Sequence, residues 1–216
     1  MSRAKWAVVI VAACLMVTVV AAAYAAGQVK AAAPKVVRAQ GFELVDAAGK
    51  TRASLILAPD GSPGLALVDE KGKIRAKLSL DSDGSPGLTL NDKKGEIRAA
   101  LHLDTDGRPD LMLSDEKGKP RAALHLDTDG RPQLSLADEK GNLRASLMLA
   151  PGGNPFLMLA DEKGKPRASL HLDTDGSPNL TLHDENGRSR AWLMLLGGNP
   201  VLMLKDEKGA RIAGLP

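Results

Sequence analysis

A 23-residue period governs this chain. Arg52, Arg75, Arg98, Arg121, Arg144, Arg167 and Arg190 follow one another at that step, and each is followed by Ala. Asp46, Asp69, Asp92, Asp115, Asp138, Asp161 and Asp184 keep the same step, as do the glycines three residues after each and the prolines from Pro63 to Pro178. Such strict repetition specifies identical structural units that bury apolar surface against their neighbours, and its terminal copies are expected to differ because they cap the array. The last copy does differ. Arg190 to Pro200 is one residue shorter than Arg167 to Pro178, and Gly209 is followed by Arg at two positions rather than three.

Within a copy the apolar period is two. In "RAKLSL", Ala76, Leu78 and Leu80 share one face and Lys77 and Ser79 the other; in "GLTL", Leu88 and Leu90 alternate with Thr89. Each repeat is therefore expected to supply two half-buried strands. "DEKG" at 69–72, and again from 115, 138, 161 and 206, places Asp at the start of a turn and Gly where a positive φ is needed. Pairing across it as a four-residue loop sets Leu67 beside Ile74 and Leu65 beside Ala76. "DSDGSP", closed as a three-residue loop, sets Leu80 beside Leu88 and Leu78 beside Leu90. Both hairpins put every leucine on one face.

The expected fold is all-β: tandem hairpins in an elongated or curled antiparallel sheet of about sixteen strands, over a repeat domain at 39–216. Curling would let the two halves pack their leucines about 10 Å apart. The alternative is a two-sided parallel β-solenoid with one coil per repeat, and a third arrangement pools the leucine faces of three chains in a fibre. A solenoid would stack like charges from seven arginines and eight aspartates at about 4.8 Å, whereas hairpins let Arg alternate with the turn Asp. That favours the hairpins.

Residues 1–26 read as a targeting segment. Arg3 and Lys5 precede an apolar run from Trp6 to Ala26 long enough for a helix to span a bilayer, and Ala23-Tyr24-Ala25 has the small-x-small form of a signal-peptidase site. The segment is a cleaved signal peptide or, if uncleaved, an apolar helix anchoring the chain through residues 6–26. Either way the repeats are expected outside the cytoplasm. Cys14, the only cysteine, lies in this run in a weak lipobox-like context; a cysteine within a membrane helix is the simpler reading. The exported part therefore has no disulfide. Residues 27–38 form a polar, Ala- and Pro-containing linker.

Beyond residue 26 there are 27 basic and 26 acidic residues, interleaved throughout. This leaves no field to attract nucleic acid. Aromatics are 2% of the chain, and only Phe42, Phe156 and Trp192 lie beyond residue 26, so stacking platforms are excluded. Trp192 with Met194 and Leu196 makes the final copies less polar, as a contact patch or a cap.

The candidate metal ligands are Asp104 and Asp106, Asp127 and Asp129, with His102 and His125. "DTDG" at 104, 127 and 173 opens like a calcium loop, but the third acidic ligand and the distant Glu are missing. His102, His125 and His171 share a repeat position. In a solenoid, His102 and His125 could share zinc with Asp104 and Asp127; in a hairpin sheet they stand too far apart for one ion. Turn chemistry explains the aspartates without a metal, and the array replaces them with "APGGNP" at 150–155. Accordingly no cofactor, metal or catalytic residue is assigned. Repeated residues are structural as a rule, because an active site needs one particular constellation.

The consensus D-x-x-G-x-x-R-A-x-L-x-L-x-x-D-G-x-P-x-L-x-L resembles tandem repeats of uncharacterised exported bacterial proteins that carry an N-terminal apolar segment. Its "DEKGK" and "DENGR" turns are similar to the YD repeats of Rhs-type proteins, without the tyrosine and at a different spacing. The resemblance implies a bacterial, extracytoplasmic repeat protein and transfers no activity. The functional expectation is a non-enzymatic structural or adhesive protein of the cell envelope with protein or envelope-surface contacts, self-association among them. The alternative is a repeat array binding calcium or another divalent ion through its Asp-rich turns.

Overall fold

The computed structural model describes residues 36–215. The apolar helix expected within residues 1–26 lies outside these residues. Sixteen strands follow one another: β1 (Gly41–Val45), β2 (Thr51–Leu57), β3 (Pro63–Val68), β4 (Ile74–Leu80), β5 (Pro86–Asn91), β6 (Ile97–Leu103), β7 (Pro109–Ser114) and β8 (Pro120–Leu126). The series continues with β9 (Pro132–Ala137), β10 (Leu143–Leu149), β11 (Pro155–Ala160), β12 (Pro166–Leu172), β13 (Pro178–His183), β14 (Ser189–Leu196), β15 (Asn199–Lys205) and β16 (Arg211–Leu215). They form one open sheet in sequential order, with antiparallel pairing throughout.

Two expectations are corrected here. The parallel solenoid does not form, because each strand pairs antiparallel with its successor. Nor do two halves of the sheet pack on each other, since strands touch only their sequential neighbours. The reason is in the connections. Each is a tight turn, too short to carry the chain across to a second layer.

The pairing also differs by two residues from the expected register. In the Asp69–Gly72 turn the Asp69 N–H donates to Lys73 O at 2.9 Å and the Gly72 N–H to Asp69 O at 3.0 Å, so the loop is Glu70–Gly72. Val68 then faces Ile74. A regular ladder would continue with Leu67 against Arg75 and Leu65 against Lys77, turning polar side chains onto the leucine face. Instead the register shifts at this point, and Leu67 pairs with Ala76 and Leu65 with Leu78. Arg75 is the extra residue of a β-bulge, which restores the parity of the strand. The same shift recurs in each hairpin on this edge, with the repeat arginine as the extra residue from Arg52 to Arg190. On the opposite edge Asp81 pairs with Ser85 round Ser82–Gly84, and Leu80–Pro86 and Leu78–Leu88 follow without a bulge.

The last copy's two slips both have structural counterparts. Leu196 pairs with Asn199 across Gly197 and Gly198, whose φ values are +56° and +81°. This is a two-residue hairpin loop needing positive φ at both positions, so losing one residue leaves Leu193 facing Leu202 and the leucines on their face. In the final hairpin Lys205 pairs with Arg211 and Leu204 with Ala213, so Ile212 is the extra residue in place of arginine.

The two faces of the sheet differ sharply. One carries an unbroken leucine row, Leu55–Leu65–Leu78–Leu88–Leu101–Leu111 and onward, beside a second row in which Leu and Ala alternate. These leucines are exposed: Leu78 by 51%, Leu124 by 48% and Leu147 by 49%. The buried side chains lie on the other face and are small: Ala100, Ser114, Ala160, Ser169, Thr181 and Ser146, which is 1% exposed. Larger cross-strand neighbours such as Met112 and Met158 flank them there.

Candidate functional site

Two edges of turns and the small-residue face carry nearly all the polar chemistry. On the first edge each turn is closed by its leading aspartate. Asp115 Oδ1 accepts the N–H groups of Lys117 at 2.9 Å and Lys119 at 3.1 Å, and Asp69, Asp138 and Asp161 do the same in their copies. The backbone N–H of Lys117, then that of Lys119 and the side chain of Arg121, hold the Asp115 carboxyl below its ordinary range.

The bulged arginine then links one repeat to the next. Arg121 Nη1 lies 3.5 Å from Asp115 Oδ2 in its own turn, while its Nε donates to Ala137 O, 2.9 Å away on β9. Arg75, Arg98, Arg144 and Arg167 reach Asn91, Ser114, Ala160 and His183 in the same way, at 2.9–3.2 Å. Arg190 donates to Asp206 O. A second link runs beside the first: Lys119 Nζ donates to Glu139 O at 3.2 Å, Asn142 Nδ2 to Glu162 O at 2.9 Å and Lys165 Nζ to Glu185 O at 3.1 Å. In the final described hairpin Ile212 stands at the position that arginine takes in the others.

The opposite edge holds the candidate metal ligands. Asp104 Oδ1 accepts the N–H groups of Asp106 and Arg108, both at 2.9 Å, and its Oδ2 accepts Arg108 Nε at 2.8 Å. Arg108 Nη2 also lies 2.8 Å from Asp106 Oδ2. In the next copy Arg131 takes both partners, Asp127 at 2.8 Å and Asp129 at 2.6 Å. Each of these carboxylate pairs is bridged by one guanidinium from its own loop, which offsets one of the two negative charges. Sequence reasoning missed this partner although Arg108 and Arg131 follow the turn glycines directly. The Arg108 backbone N–H and then its side chain hold Asp104 below the usual carboxylate range; the Arg131 backbone N–H does so first for Asp127.

His102 and His125 lie on β6 and β8 with one strand between them. Asp110 on β7 faces both in register, so the row reads His–Asp–His. Asp110 occupies the column that holds Gly64, Gly87 and Gln133 in other copies, and that variability concealed it in the sequence. Among the described residues no three His, Cys, Asp or Glu side chains converge as a metal site. His171 Nε2 lies 3.2 Å from Asp173 Oδ1, with its ring 5.6 Å from Phe156.

A cleft of about 710 Å³ over β2–β4, on the small-residue face, is lined by Ser54, Ile56, Lys77 and Ser79 with Asp60 and Asp83 at its rim. Its lining has no His or Cys to pair as base or nucleophile with the serines. At the other end Trp192 stands between Thr181 and Met203, with Lys205 Nζ 5.0 Å from its ring centre. The register places Trp192 on the face away from the leucines.

No protein-family model matches the chain, and no curated protein matches it. Among solved structures it is similar to the TCP domain of SAS-4 (dCPAP) of Drosophila melanogaster, solved in complex with a proline-rich motif of Ana2 (dSTIL). That match has 14% identity over 81% of this chain and 96% of that one, with a TM-score of 0.43. A porin-like protein from Bacteroides uniformis matches at 9% identity over 81% and 85% of the two chains, with a TM-score of 0.21. Similarity at this level carries no argument about function.

Proposed function

We propose that this chain is a non-enzymatic structural or adhesive repeat protein of the bacterial cell envelope, exported or anchored by its N-terminal apolar segment, which works through surface contacts with protein. One observation carries the reading. The strictly repeated polar residues have architectural work: aspartate closes the turn, glycine takes the positive φ, and arginine occupies the bulge and joins successive repeats. What remains for function is broad, repetitive surface, which suits distributed contacts better than a reaction at one point.

The location is tested by expressing the full chain in a Gram-negative bacterium and adding protease to spheroplasts. Digestion of the repeats, with a cytoplasmic marker intact, is the expected result. Protection of the repeats until the inner membrane is lysed would overturn the envelope assignment.

A further inference from the structure

We infer that the leucine face is an interface between two copies of this chain, packed face to face about a two-fold axis that runs along the strands between β8 and β9. The inference is independent of where in the cell the protein resides.

The argument starts from the pattern of side chains. Three rows cross the face. The middle row is leucine on successive strands, as in Leu111–Leu124–Leu134–Leu147. In the second row odd-numbered strands carry Leu and even-numbered strands Ala; in the third the even strands carry Leu and the odd strands Pro. A two-fold axis between neighbouring strands sets each odd strand over an even one, and between β8 and β9 it lies at the middle of the described sheet. Leu136 then lies over Ala122 of the second copy, Leu113 over Ala145, and Leu126 over Pro132. Large residues meet small ones in both outer rows, and the leucines of the two middle rows form the seam. The surface is self-complementary, as a two-fold interface requires.

Size agrees with this. At about 4.8 Å between strands and three rows about 20 Å deep, the central eight strands offer roughly 770 Å² per copy. That is roughly 1,500 Å² in total, a standard-size interface. Sheet twist parts the outer strands of two aligned sheets, so the centre makes the contact. A membrane is a poorer occupant. The strands are five to eight residues long, short of the roughly 9–11 that cross a bilayer, and their leucine band has no aromatic girdle.

The test uses the full chain with Cys14→Ser as background, in cells making two differently tagged copies. Co-purification of the tags is expected; its absence would overturn the inference. Leu111→Asp with Leu147→Asp should reduce co-purification at least tenfold, whereas Ser135→Asp on the other face should leave it within twofold. Equal effects from both faces would overturn it. Placing the sole cysteine at Leu124→Cys, beside the axis, should give a dimer with a bis-maleimide spanning about 8–10 Å, the order of the sheet separation. Ser135→Cys should give none. A trimeric mass by light scattering on the purified chain, or labelling of Leu124→Cys by a lipid-soluble reagent without cross-linking, would assign the face to a fibre or a lipid surface instead.

Discussion

At the level of single residues the repeat arginine has three connections: a bulged backbone, its own turn's aspartate and a carbonyl of the next repeat. Lysine has one charged point rather than a fork and cannot serve both partners. Arg121→Lys is therefore expected to cost about 1 kcal/mol, the scale of a partly exposed charged hydrogen bond, read as a lower denaturation midpoint. The turn aspartates make a pH prediction. Asp69, Asp104, Asp115 and Asp127 are held below the ordinary carboxylate range chiefly by backbone N–H donors. A depressed folded-state pKa gives stability that is fully present above the unfolded value, about 4, and is lost as pH falls through the folded one. Thermal scans from pH 6 to pH 3 should show progressive loss, and Asp115→Asn, which keeps the turn acceptor but cannot titrate, should lose less over that range than the unsubstituted chain. Ser146 runs the other way. Its Oγ is buried without a hydrogen-bond partner among the described residues, and equivalent positions hold Ala100 and Ala123. Ser146→Ala should raise stability by up to about 1 kcal/mol in the same denaturation experiment, because it removes a desolvated hydroxyl.

At the level of strands the decisive device is the bulge. Removing Arg121 altogether would leave the turn intact and make the β7–β8 ladder regular in the register it already has, with Leu113 against Ala122 and Leu111 against Leu124, so every leucine keeps its face. That deletion is expected to cost about as much stability as Arg121→Ala, because both lose the guanidinium's links and neither moves a leucine. Limited proteolysis should give the same pattern near residues 115–126 in both variants. Much of this level was legible in the sequence. Period-two alternation in "RAKLSL" and "GLTL" located the strands, and turn glycines located the hairpins. Register was legible only to the nearest two residues. Face assignment depends on parity alone, so Leu67 facing Ile74 and Leu67 facing Ala76 satisfy the same leucine pattern. The bulge that distinguishes them is set by backbone hydrogen bonding at the turn, and the Arg column marked its place without revealing its role. The guanidinium clamps on Asp104 and Asp127 were hidden for a similar reason: an Asp-rich loop reads as a cation site until the following Arg is seen to fold back.

For the whole molecule, uniform connections have a consequence that the leucine pattern alone did not reveal. A one-sided apolar sheet suggested closure of the sheet on itself, but closure needs a long connection or a change of direction, and no hairpin here provides one. Each repeat touches only its neighbours, so stability should be close to a sum of equal units and links between them. Excising residues 121–143, one full period, tests this. The cut joins Pro120 directly to Arg144, preserves the Asp–Gly turn before it, removes two strands and leaves an even number with every leucine still on its face. The shortened chain should fold, and its denaturant m-value should fall by about one eighth, in proportion to the surface lost. Its midpoint should move little, because stability and m-value fall together. If the excision instead abolished cooperative unfolding, stability would reside in long-range closure of the array rather than in the repeated turn, bulge and arginine link.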